Sequence, residues 1–201
     1  GLAVDDPHIL DQFELTRFEA NSPRASMPPE QLFIERCYQL LKPGGLLAIV
    51  LPDSILSNPG LVFIRHWIIE HCKLIASIDL PVETFLAFGG TGTQTSVLVL
   101  QKKTEEEMRL EEAAGRIQDY EVFMALCHTM GYDRRGNDLW LRTPEGEFIE
   151  QEAIIPVITR TPEGIVIYEP KRELRRVRDD DVSKVVRLFQ EWWQQTGKRS
   201  D

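Results

Sequence analysis

The sequence predicts an α/β fold built on a mixed sheet whose last strand is antiparallel, followed by an irregular α+β appendage. Three observations carry that prediction. Residues 30–41 repeat apolar side chains at helical spacing and run straight into the apolar stretch 46–51. Residues 61–72 and 73–80 repeat the helix-then-strand order, and about fifteen residues without a helical pattern lead on to another strand at 96–101.

The first helix opens at Pro28-Pro29-Glu30, because a proline is tolerated in a first turn whose N–H groups have no helical partner. Leu32, Phe33, Cys37, Leu40 and Leu41 form its apolar stripe, with Glu30, Gln31, Glu35 and Gln39 outside it. Lys42-Pro43-Gly44-Gly45 stops the helix, with a basic residue in the last turn and then glycines free to take positive φ. The continuous apolar run 46–51 then reads as a strand buried on both faces.

In the second helix Leu61, Ile64, Ile68 and Cys72 recur on one side, and Val62, Phe63, Trp67 and Ile69 widen the stripe, so this helix is expected to be largely covered. The link between the strands at 73–80 and 96–101 is too short for a crossover helix, which makes the pair antiparallel. Its glycine-rich turn, Gly89-Gly90-Thr91-Gly92-Thr93, lacks the lysine and spacing of a phosphate-binding loop and precedes a strand, not a helix. It reads as a hairpin tip.

Beyond residue 103 the texture changes, and the chain is divided at 1–104 and 105–201. Residues 105–117 form a charged helix or tether, 120–128 a strand and 131–137 a polar turn. Residues 147–169 alternate loosely around Pro156 and Thr161-Pro162-Glu163-Gly164, as a hairpin does. A final helix over 181–195 carries Val182, Val185, Val186, Phe189 and Trp193 on one face, with Asp179, Asp180 and Asp181 at its positive end. The adjacent Trp192 and Trp193 place one indole in the core and the other at a rim.

Composition narrows the function classes. The longest apolar runs are about six residues, against the ~20 needed to cross a bilayer, and the N-terminus lacks the basic and apolar regions of a signal peptide. Cys37, Cys72 and Cys127 are widely spaced with no ligand-like pattern, which predicts reduced thiols in a cytoplasmic protein and neither a disulfide framework nor a zinc site. His8, His66, His71 and His128 form no constellation. A net charge of −9 argues against a free-standing nucleic-acid binder, since duplex binding leans on phosphate neutralisation. The basic run Lys171-Arg172-Glu173-Leu174-Arg175-Arg176-Val177-Arg178 reads as a solvated segment, a phosphate contact or a subunit contact.

Three blocks carry a family resemblance. They are Pro29-Glu30-Gln31-Leu32-Phe33-Ile34-Glu35-Arg36-Cys37, then Leu41 to Val50 running into Leu51-Pro52-Asp53-Ser54-Ile55-Leu56, then Leu80-Pro81-Val82-Glu83-Thr84-Phe85 with Thr95-Ser96-Val97-Leu98. In this order and spacing they resemble the adenine-N6 DNA methyltransferases, most closely the modification subunits of type I restriction-modification systems. The stretches 6–15, 123–125 and 131–137 extend the likeness more thinly.

The resemblance implies the later half of a Rossmann-like, S-adenosylmethionine-dependent methyltransferase sheet, with the cofactor at the carboxyl ends of the parallel strands. It implies that Phe33 stacks on the cofactor adenine and that Phe85, or alternatively Phe88, stacks on an adenine flipped out of DNA. Read from their own surroundings, Phe33 is equally a core-facing helix residue and Phe85 equally a hydrophobic plug. The family's Asn-Pro-Pro-aromatic motif and glycine-rich cofactor loop do not occur in the sequence; Asn58-Pro59 and Asn21-Ser22-Pro23 are turns. Together with the missing initiator methionine, this suggests a C-terminal fragment that is inactive alone and has no catalytic residue of its own.

The implied partners are DNA, reached through a larger complex, and specificity and restriction subunits, with a homodimer through exposed strand edges as a further possibility. The competing reading is a non-enzymatic module that docks such a subunit.

Overall fold

The computed structural model describes residues 2–87, 89, 90, 92–162 and 164–197. In chain order the elements are α1 (Pro7–Leu10), α2 (Pro29–Leu40), β1 (Leu46–Pro52), α3 (Asp53–Ser57), α4 (Val62–His71), β2 (Cys72–Leu80), α5 (Glu83–Leu86) and β3 (Thr95–Lys102). There follow α6 (Glu105–Ala114), β4 (Phe123–Leu126), β5 (Glu150–Arg160), β6 (Val166–Arg176) and α7 (Asp181–Gly197).

A four-stranded sheet in the order β1-β3-β2-β4 organises the first two thirds of the chain. β3 runs antiparallel to both neighbours, and β2 pairs in parallel with β4, so the sheet is mixed, as the sequence predicts. It extends past residue 104, because Phe123 to Leu126 align with Ala76 to Asp79. β5 and β6 form a separate two-stranded sheet; a hairpin is expected over 147–169, but β6 runs on through the basic segment to Arg176.

The main core gathers Leu32 and Ile34 of α2, Leu51 of β1, Ile55 of α3, Leu98 and Leu100 of β3, and Phe63, Ile64, Trp67 and Ile68 of α4 around residues 10–27. Trp67 is its anchor. Its indole stacks on His71 at 4.5 Å, meets Tyr38 edge-on at 5.1 Å, and donates to Glu14 Oε2 at 3.0 Å, so its polar tip is satisfied. A smaller cluster joins Leu80, Cys127 and Val185, with Phe123, Phe189 and Trp192 meeting beside it. Trp192 is half-buried and Trp193 exposed, so neither indole lies in the core as the sequence suggests.

Two expectations from hydropathy are overturned. On α2 the buried residues are Gln31, Leu32, Ile34 and Glu35, while Phe33 and Leu40 face outward. The cause is a polar anchor: the Glu35 carboxylate accepts the backbone N–H groups of Glu14 and Leu15, drawing that side of the helix under residues 10–27. β1 is likewise not buried on both faces. It is an edge strand in the described sheet, with Leu46, Ala48 and Val50 exposed and only Leu51 fully buried. Its apolar outer face has no cover among the described residues.

Candidate functional site

β1 and β2 both lie antiparallel to β3, so their carboxyl ends meet at one rim, where Pro52 and Leu80 both align with Thr95. Polar side chains tie this rim together. Ser96 Oγ donates to Asp53 Oδ1 at 2.8 Å, and the Asp53 N–H donates to the Gln94 carbonyl at 3.0 Å. Gln94 Nε2 in turn donates to Asp79 Oδ1 at 2.9 Å and to the Leu80 carbonyl at 2.6 Å. Sequence alone does not single out Asp53, Asp79, Gln94 and Ser96 as site residues, although Asp53 and Ser96 sit inside the quoted motif blocks. Their proximity depends on strand register, which local sequence does not encode.

Phe85 stands at this rim, on the short helix α5 directly after β2, and its side chain is 42% exposed. Within this chain Phe85 is thus only partly covered. The segment bearing it is held in place from both sides. Thr84 Oγ1 donates to the Pro81 carbonyl at 2.6 Å, and the Gly90 N–H closes onto the Phe85 carbonyl at 3.0 Å. A Cβ at Gly90 would lie 2.4 Å from that same carbonyl oxygen, so only glycine permits this closure.

From across the fold, Tyr132 Oη donates to the Thr84 carbonyl at 3.0 Å and Arg134 Nε donates to Glu83 at 2.9 Å. The Arg134 hydrogen bond holds the Glu83 carboxyl below its ordinary range. The predicted polar turn at 131–137 is thus a brace for the Phe85 helix. Asp133 shapes the turn by accepting from the Asn137 side chain and from the backbone N–H groups of Arg135 and Asn137, which lower its pKa. Between brace and helix lies a recess of about 320 Å³ lined by Glu83, His128, Thr129, Tyr132 and Arg134, among others.

Phe33 lies in the second turn of α2 and is 62% exposed between buried Leu32 and Ile34. The core-facing reading of Phe33 is therefore wrong. A short turn at residues 41–45 joins α2 to β1, and the two elements are in contact. Phe88, the alternative base-stacking candidate, lies outside the described residues.

A cavity of about 670 Å³ lies elsewhere, between α4 and α6, lined by His66, His71, Glu111 and Arg116 among others. None of the rim residues contributes to it. Fully buried Lys103 borders this region, donating to the Ile69 carbonyl at 2.6 Å and to Glu111 Oε2 at 2.5 Å. Among the described residues no group of His, Cys, Asp and Glu is arranged to hold a metal ion, and no helix is long and apolar enough to cross a membrane.

A crystal structure of a protein from Listeria monocytogenes, assigned to the class I S-adenosylmethionine-dependent methyltransferases, is similar at 23% sequence identity and a TM-score of 0.44. The match covers 62% of this chain and 33% of that one, so the chain spans about a third of the length of that protein. No curated protein matches. The profile of the N-6 DNA methylases matches residues 9–128, which include α2, the whole four-stranded sheet and the Phe85 helix, and the chain belongs to that N-6 DNA methylase family.

Proposed function

We propose that this chain forms the base-stacking and cofactor-rim side of an S-adenosylmethionine-dependent adenine-N6 DNA methyltransferase, working as part of a type I modification subunit. The observation that carries this reading is the half-exposed Phe85 ring, presented at the carboxyl rim on a helix braced by Tyr132 and Arg134. A paired base must leave the duplex to be methylated, and it loses its stacking when it does. A rigidly presented aromatic face restores that stacking, at ~1–3 kcal/mol per base.

Phe33 fits the rim of a purine site. Its ring stands free on a helix whose neighbouring apolar residues are buried, leaving a face available for stacking. S-adenosylmethionine, when bound, supplies the electrophilic methyl group. The chain's own part is to hold two aromatic faces, while Asp53, Asp79, Gln94 and Ser96 fix the strand ends between them. The open edge and apolar outer face of β1 are where the remaining strands and helices of a methyltransferase sheet would add. Specificity and restriction subunits are the proposed partners, since a chain of net charge −9 needs other surfaces to hold DNA.

The test is methyl transfer from labelled S-adenosylmethionine to unmethylated duplex by the enzyme that contains this chain, with nucleoside analysis of the product. N6-methyladenine is expected. Phe85→Ala is expected to lower kcat/KM about 10-fold or more while Phe85→Trp keeps most of it, and Phe33→Ala to raise the KM for the cofactor. Label in cytosine, RNA or protein, or a fully active Phe85→Ala enzyme, would overturn the reading. The 201 residues alone lack the glycine-rich loop and the Asn-Pro-Pro-aromatic motif, so calorimetry with S-adenosylmethionine is expected to find binding weaker than micromolar.

A further inference from the structure

The β5–β6 ribbon is two strands of eleven residues whose contacts, among the described residues, are overwhelmingly with each other. A lone two-stranded ribbon is marginal in water. This one nevertheless exposes Ile154, Ile158, Tyr168 and Leu174. In the register Glu152↔Leu174, Ile154↔Arg172, Pro156↔Pro170, Ile158↔Tyr168 and Arg160↔Val166, these pairs are every second rung of the ladder. They therefore share one face.

The two central prolines decide how that ribbon is approached. Directly opposed prolines forfeit no ladder bond only at a non-hydrogen-bonded rung, where both missing N–H groups would point outward. Each outer edge then lacks a donor at its midpoint, which disfavours strand addition along either edge. The surface left for a partner is the face.

The pattern on that face is its own complement. Positions equidistant from the proline rung are Ile154 and Ile158, Glu152 and Arg160, Tyr168 and Arg172, and Val166 and Leu174. We propose that this face pairs with the same face of a second copy of the chain, about a two-fold axis that crosses the ribbon at Pro156 and Pro170. That axis sets Ile158 on Ile154 of the second copy, Arg160 on its Glu152, Tyr168 under its Arg172 and Val166 on its Leu174. Every contact is apolar on apolar, cation on carboxylate or cation on ring.

The other face-to-face two-fold, along the strands, sets Glu152 on Leu174 and Ile154 on Arg172. It is the poorer match. Within one ribbon Glu152 reaches Arg172 only at 3.9 Å, with both side chains mostly exposed, so each is free to re-pair. The face measures about 36 Å by 10 Å from strand spacings, below the ~800 Å² per partner of a standard interface, so the dimer is expected to be a weak one. The inference does not depend on the catalytic reading.

Sedimentation equilibrium of the chain from about 1 to 200 μM tests it, over the range in which a micromolar dimer dissociates. Wild type is expected to pass from monomer to dimer. Arg160→Glu alone and Glu152→Arg alone set like charges against each other and are expected to weaken the dimer about 10-fold or more. An equimolar mixture of these two variants is expected to dimerise again. One variant then carries carboxylates at positions 152 and 160 and the other guanidinium groups at both, so every facing pair is opposite in charge. A wild type that stays monomeric at about 200 μM, single variants that dimerise normally, or a mixture that fails to recover would each overturn the proposal.

Discussion

The Glu35 carboxylate on α2 accepts the backbone N–H of Leu15 at 2.9 Å, and its other oxygen accepts that of Glu14 at 2.8 Å. Both donors begin the short 3-10 turn at residues 14–16, and Glu35 is almost fully buried. Hydrogen bonds to a charged acceptor contribute ~1.5–3 kcal/mol each, and a buried donor left without a partner costs a similar amount. Glu35→Leu adds an apolar side chain to the core, yet it is expected to lower stability by about 2–4 kcal/mol. Glu35→Gln, which keeps one good acceptor, should lose about half of that. Urea denaturation midpoints at constant m-value check the order.

Lys103 is the second buried charge on which packing depends. Its ammonium joins the end of α4, through the Ile69 carbonyl, to α6, through Glu111. Removing one member of a buried pair strands the other, at ~3–5 kcal/mol. Lys103→Met is therefore expected to be strongly destabilising, and Lys103→Met combined with Glu111→Leu to recover most of the loss. A double-mutant cycle measured by chemical denaturation reads the coupling. Additive losses would mean that the two groups do not depend on each other.

These two buried charges also mark where sequence reading of the fold stops. The limits of α2 and α4 followed from apolar spacing, capping prolines and glycines, and the antiparallel β2–β3 pair followed from the length of its link. Which face of α2 lies inside did not follow. A hydropathy stripe weighs Glu35 as polar, whereas two N–H groups twenty residues away make its burial favourable. The apolar run of β1 predicts cover on both faces, and the described chain covers only one. The motif block singles out Phe85 as a candidate, and the structure exposes it at the rim. Its brace was not legible, because Arg134 and Glu83 are 51 residues apart and meet only through β4 pairing with β2.

Cys72 offers a pH test. Burial pushes its thiol up from 9.0 to about 11, against the opposing pull of Lys103 and Lys102. The folded protein thus holds this proton more tightly than the unfolded chain. The stabilisation is complete below pH 9 and is lost as pH rises from 9 toward 11, a fall on the order of 2 kcal/mol. Burial raises Tyr38 and Cys127 in the same direction. Unfolding free energy is expected to decline across this window, and Cys72→Val to flatten the decline. Under native conditions at about pH 8, half-buried Cys37 should react with a thiol reagent well before Cys72.

Phe85 separates function from folding. Its ring is half-exposed and the helix beneath it is held by backbone and brace contacts, so Phe85→Ala removes only part of a ring's burial and leaves the helix anchored. The expected loss in unfolding free energy is about 1–2 kcal/mol. Trp67→Ala, at the fully buried centre of the core, should cost about 3–5 kcal/mol. If Phe85 serves to stack a base, the two variants diverge in the assembled enzyme. Phe85→Ala loses turnover at a modest cost in stability, while Trp67→Ala loses both together. Thermal unfolding run beside the methyl-transfer assay distinguishes the cases, and a Phe85→Ala protein destabilised as much as Trp67→Ala would return Phe85 to a packing role.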